Sequence, residues 1–308
     1  MLLPLAVLLL AQAAQAQDDE LVRAATNPYD LARFIDSHLG FDWSVLWKAL
    51  GTPGTFIQPC GKPSNGLRGC STEVIGVQNP DQAIVLVVGD STPADAYIRY
   101  LKQPDGSWKF SGVQAAFIRN HPRRHEVDRS SGTPYLRVAR QGIYGSDVDS
   151  EIEVWYDLSQ PSFEPIFTFV SQGHQQRFAF GIGRTVFGVM QPAKYAIDVT
   201  LQVEFFGTDG YRQYSLGVEL YRARYVRPDL SKPFSPRMQE SKVSGKEFEA
   251  LADLNQGPSD EDLIRLDLHG LTEVATGKDA AAKTWLRDLL KRCKDTPEVR
   301  KLKALLPK

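Results

Sequence analysis

Residues 195–226 read YAIDVTLQVEFFGTDGYRQYSLGVELYRARYV, and this stretch decides the fold class. Between positions 197 and 205, apolar and polar residues alternate one by one. After the turn signal Thr208-Asp209-Gly210, the pattern predicts a return strand with one face formed by Tyr214, Leu216, Val218 and Leu220. Such alternation is typical of antiparallel strands with one solvated face.

The region 55–228 around this hairpin follows the same rule and is predicted to be an antiparallel β domain. Its candidate strands are Glu73–Val77, Ala83–Gly89, Ala94–Gln103, Ser107–Ile118, Pro134–Arg140, Glu151–Leu158, Pro165–Ser171, Tyr195–Phe206 and Tyr211–Val226. No helical pattern lies between them, which excludes parallel βαβ units. We therefore predict the α+β class, with a large curved antiparallel β-sheet folded as a sandwich, a partial barrel or a propeller-like array.

Helical patterns flank this domain on its N-terminal side. The segment 17–54 predicts N-terminal helices, with Asn27 as an N-cap and Pro28 at the first helical position. A second short helix carries Trp43 and Trp47 on its apolar stripe. Tryptophans in such a place either form a ligand platform or dock a terminal helix onto a core, and we favour docking.

The segment 229–308 is predicted to be a C-terminal helical segment. Its expected helix starts are the capping residues Ser244, Ser259, Asp279 and Thr296. The apolar spacing predicts one continuous helix from Ser259 to the stop at Gly277.

The first residues have the pattern of an export signal. Leu2 to Leu10 is almost wholly apolar but too short to span a bilayer, which needs about 20 apolar residues. Ala14-Gln15-Ala16 supplies the small residues of a cleavage site, so residues 1–16 are predicted to be a signal peptide. The mature chain would begin at Gln17 and be secreted or periplasmic, with no membrane span after signal cleavage.

The composition shows no dominant charge. Apolar residues make up 42% of the chain, charged residues 24%, and the formal net charge is −1. Nucleic acids and anionic membranes attract strongly basic surfaces, so this balance argues against both as partners. We expect an unknown protein or a small-molecule ligand instead.

Three cysteines are present. Cys60 and Cys70 flank a loop rich in turn residues, and in an oxidising compartment they predict a local disulfide. A metal pair is the alternative, but their spacing is far from Cys-x-x-Cys. Cys293 lies on the apolar stripe of a helix, which predicts a buried inert thiol, with intermolecular pairing left open.

A basic segment, His121–Arg129, is the first place where chemistry is concentrated. His121 and His125 have a spacing that places metal ligands on one helix face, although Pro122 argues against a helix. Arg123 and Arg124 are candidate ligands for an anion, because guanidinium groups bind carboxylates and phosphates. The alternative is a solvated loop or strand whose arginines pair with nearby acids.

An acidic segment follows a glycine turn and contains Asp147, Asp149 and Glu151. These oxygen ligands are of the kind that Ca²⁺ prefers, which makes Ca²⁺ the one candidate cofactor, although the EF-hand pattern is absent. Paired carboxylates of this kind also serve acid–base chemistry in glycosidases. The plain alternative is a turn and strand face exposed to solvent.

The remaining candidates for catalysis are isolated. His174 follows Gly173, and with His125 and Glu151 it completes the set of candidate general acids and bases. Gly181 and Gly183 do not form a dinucleotide fingerprint, and glycines in strands more often mark bulges or close backbone approach. Neither Gly-x-Ser-x-Gly nor His-Glu-x-x-His occurs in the sequence.

These observations predict an exported, non-enzymatic binding or interaction protein of the cell envelope or exterior, with its ligand unknown. One alternative is an exported hydrolase using His, Asp and Glu residues of region 121–177, which requires those residues to converge on a pocket. Another is a carrier of an apolar ligand, which requires an enclosed apolar cavity.

Overall fold

The computed structural model describes residues 3–38, 40–55, 57–59, 70–78, 81–89, 94–117, 124–176, 180–193, 195–210, 212–227, 234–239, 243–255 and 257–306, and their side chains from residue 12 onward. The chain forms two compact units. The first contains residues 1–129, 133–140 and 155–165. The second contains residues 130–132, 141–154 and 166–308.

Three helices begin the first unit: α1 (Leu3–Ala24), α2 (Pro28–Ser37) and α3 (Trp43–Ala49). The side chain of Asn27 accepts hydrogen bonds from the first turn of α2, as predicted for an N-cap. Trp43 and Trp47 are buried, and the indole of Trp47 donates to the carbonyl oxygen of Ile57 over 2.9 Å. The expectation that these tryptophans dock a helix onto the core is therefore confirmed.

A four-stranded antiparallel sheet follows in the same unit, formed by β1 (Cys70–Val77), β2 (Gln82–Gly89), β3 (Ala94–Lys102) and β4 (Trp108–Phe117) in that order. Helix α2 packs against the edge strand β1. There the amide of Thr72 donates to a carboxylate oxygen of Asp36 over 2.9 Å. A side chain of the helix thus occupies a donor that the sheet edge would otherwise expose.

A buried arginine anchors this sheet to residues 158–162 of the same unit. Arg99 donates to the side chain of Gln82 over 2.6 Å and to the carbonyl oxygens of Leu158 and Ser162 over 2.9 and 3.1 Å. Burial lowers the pKa of Arg99 to about 10, while the charge of Asp157 acts in the opposite direction. The guanidinium remains charged at neutral pH and bridges separate chain segments of the first unit.

The second sheet has eight strands in the order β12-β11-β10-β9-β8-β7-β6-β5. They are β5 (Arg124–Asp128), β6 (Tyr135–Tyr144), β7 (Val148–Asp157), β8 (Pro165–Gln175), β9 (Phe180–Ala193), β10 (Ala196–Asp209), β11 (Arg212–Val226) and β12 (Ser235–Met238). The edge strand β12 is short and contains Pro236, which has no amide proton to offer. Together with the four-stranded sheet, this confirms the predicted α+β class with antiparallel sheets.

Five helices complete the second unit: α4 (Gly245–Ala252), α5 (Asp260–Leu266), α6 (Leu268–Thr276), α7 (Ala280–Arg292) and α8 (Pro297–Leu305). Ser244 and Ser259 form capping boxes with Glu247 and Asp262, as expected for helix starts. Helices α4 to α7 pack on one face of strands β9 to β11. The C-terminal helices therefore belong to the same unit as strands β9 to β11.

Two close contacts hold the helices against the sheet. Arg184 of β9 donates to the carbonyl oxygens of Leu251 and Asp253 at the end of α4, over 3.1 and 2.7 Å. The ring of Trp285 from α7 lies directly over Gly207, and its indole donates to the carbonyl oxygen of Thr208 over 2.9 Å. A side chain at position 207 would occupy the space of the indole.

The structure differs from the sequence-based prediction in five places. Strands β5, β9 and β12 were not among the predicted strands. The helix expected from Ser259 to Gly277 ends at Leu266 and begins again at Leu268, with a break at Asp267. In β11, Leu216 forms a bulge opposite the Phe205–Phe206 step.

The bulge changes which residues of β11 face solvent. An extra residue in one strand reverses the inward and outward alternation beyond it. Leu216 is buried, whereas Val218 and Leu220 are exposed, and Tyr221 is buried. The prediction that Leu216, Val218 and Leu220 share one face is therefore wrong.

No helix in the described part of the chain is long and apolar enough to cross a membrane.

Candidate functional site

Strand β10 has two different faces because its side chains alternate across the sheet. Val203 is buried, and Gly207, on the same side of the strand, lies under Trp285 of α7. Thr200, Gln202 and Glu204 alternate with that series and are half-buried. The face that carries them is here called the open face, since the helices pack on the other side.

Four large apolar side chains lie exposed on the open face. Two belong to β9 and two to β11, and their exposed fractions are 39% for Phe187, 55% for Val189, 59% for Val218 and 46% for Leu220. Isolated exposed apolar residues are ordinary, but adjacent ones form a patch that typically marks an interaction site.

The strand register places these four residues around the middle of β10. Gln202 pairs with Phe187 on one side and with Leu220 on the other. Because neighbouring strands lie about 4.8 Å apart, the two apolar side chains are separated by roughly 10 Å. A polar stripe along β10 thus divides two apolar stripes, and a partner would meet both kinds of surface at once.

A row of polar side chains crosses the sheet beside this patch. His174 of β8 pairs with Thr185 of β9, which in turn pairs with Glu204 of β10. The imidazole Nδ1 lies 2.9 Å from Thr185 Oγ1. The ring of His174 stacks on Phe206, with 5.1 Å between centroids and a 7° angle between planes.

Glycine makes that stacking arrangement feasible. A Cβ atom at Gly183 would lie 2.3 Å from the ring of Phe206 and 2.8 Å from the carbonyl oxygen of Gln175. The absent side chain lets the Phe206 ring lie flat against β9, and this ring supports His174. The expectation that a glycine in this segment marks a close approach is confirmed for Gly183.

An ion pair lies at the opposite end of the open face. Arg224 of β11 donates to both carboxylate oxygens of Asp198 on β10, over 2.6 and 2.7 Å. The hydrogen bonds from Arg224 lower the pKa of Asp198, and the Asp198 carboxylate in turn raises the pKa of Arg224. The open face therefore runs from a histidine–threonine–glutamate row, across an apolar patch, to a bidentate ion pair.

No protein-family model, curated protein or solved structure matches this chain.

The basic segment is described only from residue 124 onward, so His121 and Arg123 lie outside the described residues. Arg124 is exposed at the start of β5. His125 is half-buried, with Nε2 lying 3.5 Å from a carboxylate oxygen of Glu73. Its ring also meets the edge of Tyr97, with 6.2 Å between the centroids. Within the first unit, His125 thus has an acidic and an aromatic neighbour.

The three acids of the calcium hypothesis lie in different environments of the second unit. Asp147 is exposed in the β6–β7 turn and accepts a hydrogen bond from Ser146, and Asp149 is half-buried. Glu151 is fully buried, and one of its carboxylate oxygens accepts a hydrogen bond from Ser171 over 2.7 Å. Among the described residues, no group of three His, Cys, Asp or Glu side chains is placed to hold a metal ion.

His174 is the predicted candidate that lies on the open face. Gln175 donates to the carbonyl oxygen of Leu254, and Gly173 contacts the Leu254 side chain, so both neighbours of His174 face the helices. His174 therefore points to the other side, where Thr185 and Phe206 meet it.

The cysteines are partly described. Cys60 lies outside the described residues, and Cys70 is the first residue of β1, so their disulfide stays a prediction. Cys293 is a half-buried free thiol, and burial raises its pKa to about 11. A thiol with this pKa is unreactive at neutral pH, in keeping with the expected inert role.

A surface groove of about 280 Å³ lies between α1 and α2 in the first unit. Most of its lining side chains are charged or polar: Glu20, Arg23, Asp30, Arg33 and Ser37. This lining does not suit an apolar ligand, so the groove gives the carrier hypothesis no support.

The residues of the open face that sequence patterns missed are Phe187, Val189 and Thr185, all on β9. Three glycines and a proline interrupt this strand and conceal its alternation. The available signal was a buried apolar series, Ile182, Val186 and Met190, which shares one face of β9. Thr185, Phe187 and Val189 lie on the other face.

Proposed function

We propose that this protein is an exported, non-enzymatic binding protein that holds its partner on the open face of the eight-stranded sheet. The observation that supports the proposal is the exposure of Phe187, Val189, Val218 and Leu220 on neighbouring strands. Burying such side chains in a complex is favourable by about 25 cal/mol per Å² of apolar surface. A partner with a matching apolar strip would gain this free energy.

Polar groups on the same face would orient the partner. Glu204 accepts a hydrogen bond from Gln202 over 2.9 Å, and the imidazole of His174 lies at the same end of the face. Arg224 and Asp198 form the other end. Interfaces that combine an apolar centre with a polar rim gain specificity from the rim.

Export and the disulfide belong to the same proposal. We infer cleavage after Ala16, supported by the apolar segment before it and the small residues at the site. Residues 12–16 of α1 are exposed, whereas Leu21 and Ala24 farther along are buried in the first unit. Cleavage there would leave the packed part of α1 in place, and a Cys60–Cys70 disulfide would form in the oxidising compartment.

Site-specific photo-crosslinking tests the proposal. A photoreactive phenylalanine analogue replaces Phe187 in the full chain expressed in its native host, and crosslinked partners are identified by mass spectrometry. The purified partner is then titrated against the wild-type protein and against Leu220→Asp. We expect affinity to fall at least tenfold in the variant, because a buried charge opposes apolar contact.

The matched control is Leu305→Asp, which places the same charge on an exposed leucine of α8. This control should bind like the wild type. Equal affinity of the Leu220→Asp variant and the wild type would show that the partner binds elsewhere. A crosslink yield at position 187 no higher than at position 305 would also contradict the proposal.

A second candidate function, hydrolysis, is favoured by one contact. The imidazole of His174 lies within hydrogen-bond distance of the Thr185 hydroxyl, as a general base lies beside a nucleophile. If this pair is catalytic, a panel of p-nitrophenyl esters will include a substrate whose turnover disappears in both Thr185→Val and His174→Gln. If either variant retained turnover, the His174–Thr185 pair would not be catalytic. The binding proposal would then stand without a hydrolytic role for this pair.

A further inference from the structure

A buried carboxyl group marks the break between α5 and α6. Asp267 ends α5 and begins α6, with a backbone (φ −113°, ψ 37°) outside the helical region. It is 1% exposed. The backbone of Gly270 lies near its carboxylate, but the side chain makes no capping hydrogen bond at the start of α6. Its Oδ2 atom has no hydrogen-bond partner within the part of the chain that the structure describes.

The junction packs directly onto the bulge of β11. A Cβ atom at Gly270 would lie 1.9 Å from the carbonyl oxygen of Leu216, the bulged residue. A Cβ atom at Gly217 would lie 3.1 Å from Oδ1 of Asp267. The carboxyl group is therefore enclosed between the helix start and the strand backbone, where an unpaired charge is costly.

The charges around this carboxyl oppose its ionisation. Glu219 of β11 and Glu273 of α6 both act on Asp267 as like charges. The nearby cation, Arg265 of α5, is engaged by Glu247 of α4. The buried hydroxyl of Tyr221 is acted on by four of these groups, which places them around one point of β11: Glu219, Asp267, Arg265 and Glu247.

These features together disfavour the charged form. Burial, and after it the charge of Glu219, raise the pKa of Asp267 to about 7, against the weaker effect of the nearby Gly270 backbone. Its protonated form is therefore populated in the folded protein near neutral pH.

We propose that Asp267 is a pH-sensitive latch, which keeps the α5–α6 junction docked on β11 when protonated and releases it when ionised. Protonation removes the charge that the enclosed site cannot solvate. Ionisation favours an opened junction in which the carboxylate reaches water. Because β11 carries Val218 and Leu220 on its other side, release would change the support of a strand that forms the open face.

Hydrogen exchange of the full-length protein between pH 4.5 and 8.5 tests the latch, with rates corrected for the intrinsic pH dependence. We expect the opening constant of amides in 263–272 to rise by up to tenfold per pH unit until about pH 7 and then to level off. Amides of 285–290 in α7 are the internal comparison, and their opening constants should not follow this curve.

Two variants identify the responsible group. Asp267→Asn should keep the junction closed at every pH, and Glu219→Gln should shift the midpoint to lower pH. Asp295→Asn, an exposed aspartate of the same segment, is the control and should behave like the wild type. A slope that persists in Asp267→Asn, or a wild-type junction without pH dependence, would overturn the proposal.

A carbon-13 NMR titration of the wild-type carboxyl groups covers the case in which Asp267→Asn fails to fold. The Asp267 carboxyl should titrate with a midpoint near pH 7. A midpoint below pH 5 would show that the enclosed site tolerates the charge and would remove the physical basis of the latch.

Discussion

The guanidinium Nε of Arg184 donates a hydrogen bond to the carbonyl oxygen of Leu251 over 3.1 Å, joining the middle of the large sheet to the end of α4. The same side chain reaches the carbonyl oxygens of Ala250 and Asp253. The last carbonyl groups of a helix have no partners within the helix itself. A buried arginine from the sheet thus supplies the donors that α4 lacks.

Replacing this arginine by methionine should destabilise the second unit. Arg184→Met keeps much of the side-chain volume but leaves buried carbonyl oxygens without donors, each at a cost of about 1–3 kcal/mol. We expect a loss of roughly 3 kcal/mol in the free energy of unfolding, measured by urea denaturation. Arg300→Met, at an exposed arginine of α8, should stay within about 0.5 kcal/mol of the wild type.

Gly207 is expected to reject even a methyl group. Its Cβ would lie 2.4 Å from the ring of Trp285, which is itself fixed by a hydrogen bond to Thr208. Gly207→Ala should therefore reduce the free energy of unfolding by about 2 kcal/mol through overpacking. In Gly76→Ala the new methyl group meets no atom within 4 Å, so a comparable loss there would point to backbone effects instead of the indole.

Adjacent residues of β11 should respond in opposite ways to the same substitution. Leu220 is exposed and Tyr221 is buried, so threonine at position 220 should change the unfolding free energy by less than about 0.5 kcal/mol. Threonine at position 221 should lower it by roughly 3 kcal/mol, because a large core side chain is lost. Thermal and urea denaturation would measure both variants. If the two substitutions changed the unfolding free energy equally, the register beyond the Leu216 bulge would be contradicted.

The raised pKa of Asp267 also predicts how global stability depends on pH. The folded protein holds this proton until a pKa of about 7, whereas the unfolded chain releases it near 3.8. The contribution of the Asp267 proton to the free energy of unfolding is therefore fully present below pH 4. It declines as pH rises and is gone above pH 7. At 1.36 kcal/mol per pKa unit, the wild type should lose roughly 4 kcal/mol relative to Asp267→Asn across this window.

Urea denaturation at pH 4, 5.5 and 7.5 would measure that difference. The Asn variant should be less stable than or equal to the wild type at pH 4 and more stable at pH 7.5. Parallel curves for the two proteins would mean that the carboxyl group ionises without penalty in the folded state.

Strands with strict alternation were predictable from the sequence, and β10 is the clearest case. Its apolar and polar residues alternate because one face packs on helices and the other meets solvent. The neighbouring strand β9 was not predictable in the same way. Gly183 and Gly188 stand where Phe206 and the Val170 carbonyl approach, so tertiary packing set those residues and concealed the strand.

The helix break at Asp267 shows the same limit in a helical segment. Apolar spacing on both sides of Asp267 continues one stripe, and the sequence contains neither a glycine nor a proline at the break. Beside the interruption, Gly270 comes into close contact with the Leu216 carbonyl, and only the fold brings these two residues together. The candidate site was found in part, since His174 was predicted while Thr185 was not.

The strand edges have a consequence for behaviour in concentrated solution. At β1 the carboxylate of Asp36 binds both the amide and the hydroxyl of Thr72, and at β12 Pro236 removes a donor from a strand of four residues. Unpaired edges are templates on which folded β proteins add to one another and aggregate. With these donors bound at β1 and missing at β12, the two strands are poor templates. The chain can therefore display an apolar patch on a sheet face without growing into fibrils through these two edges.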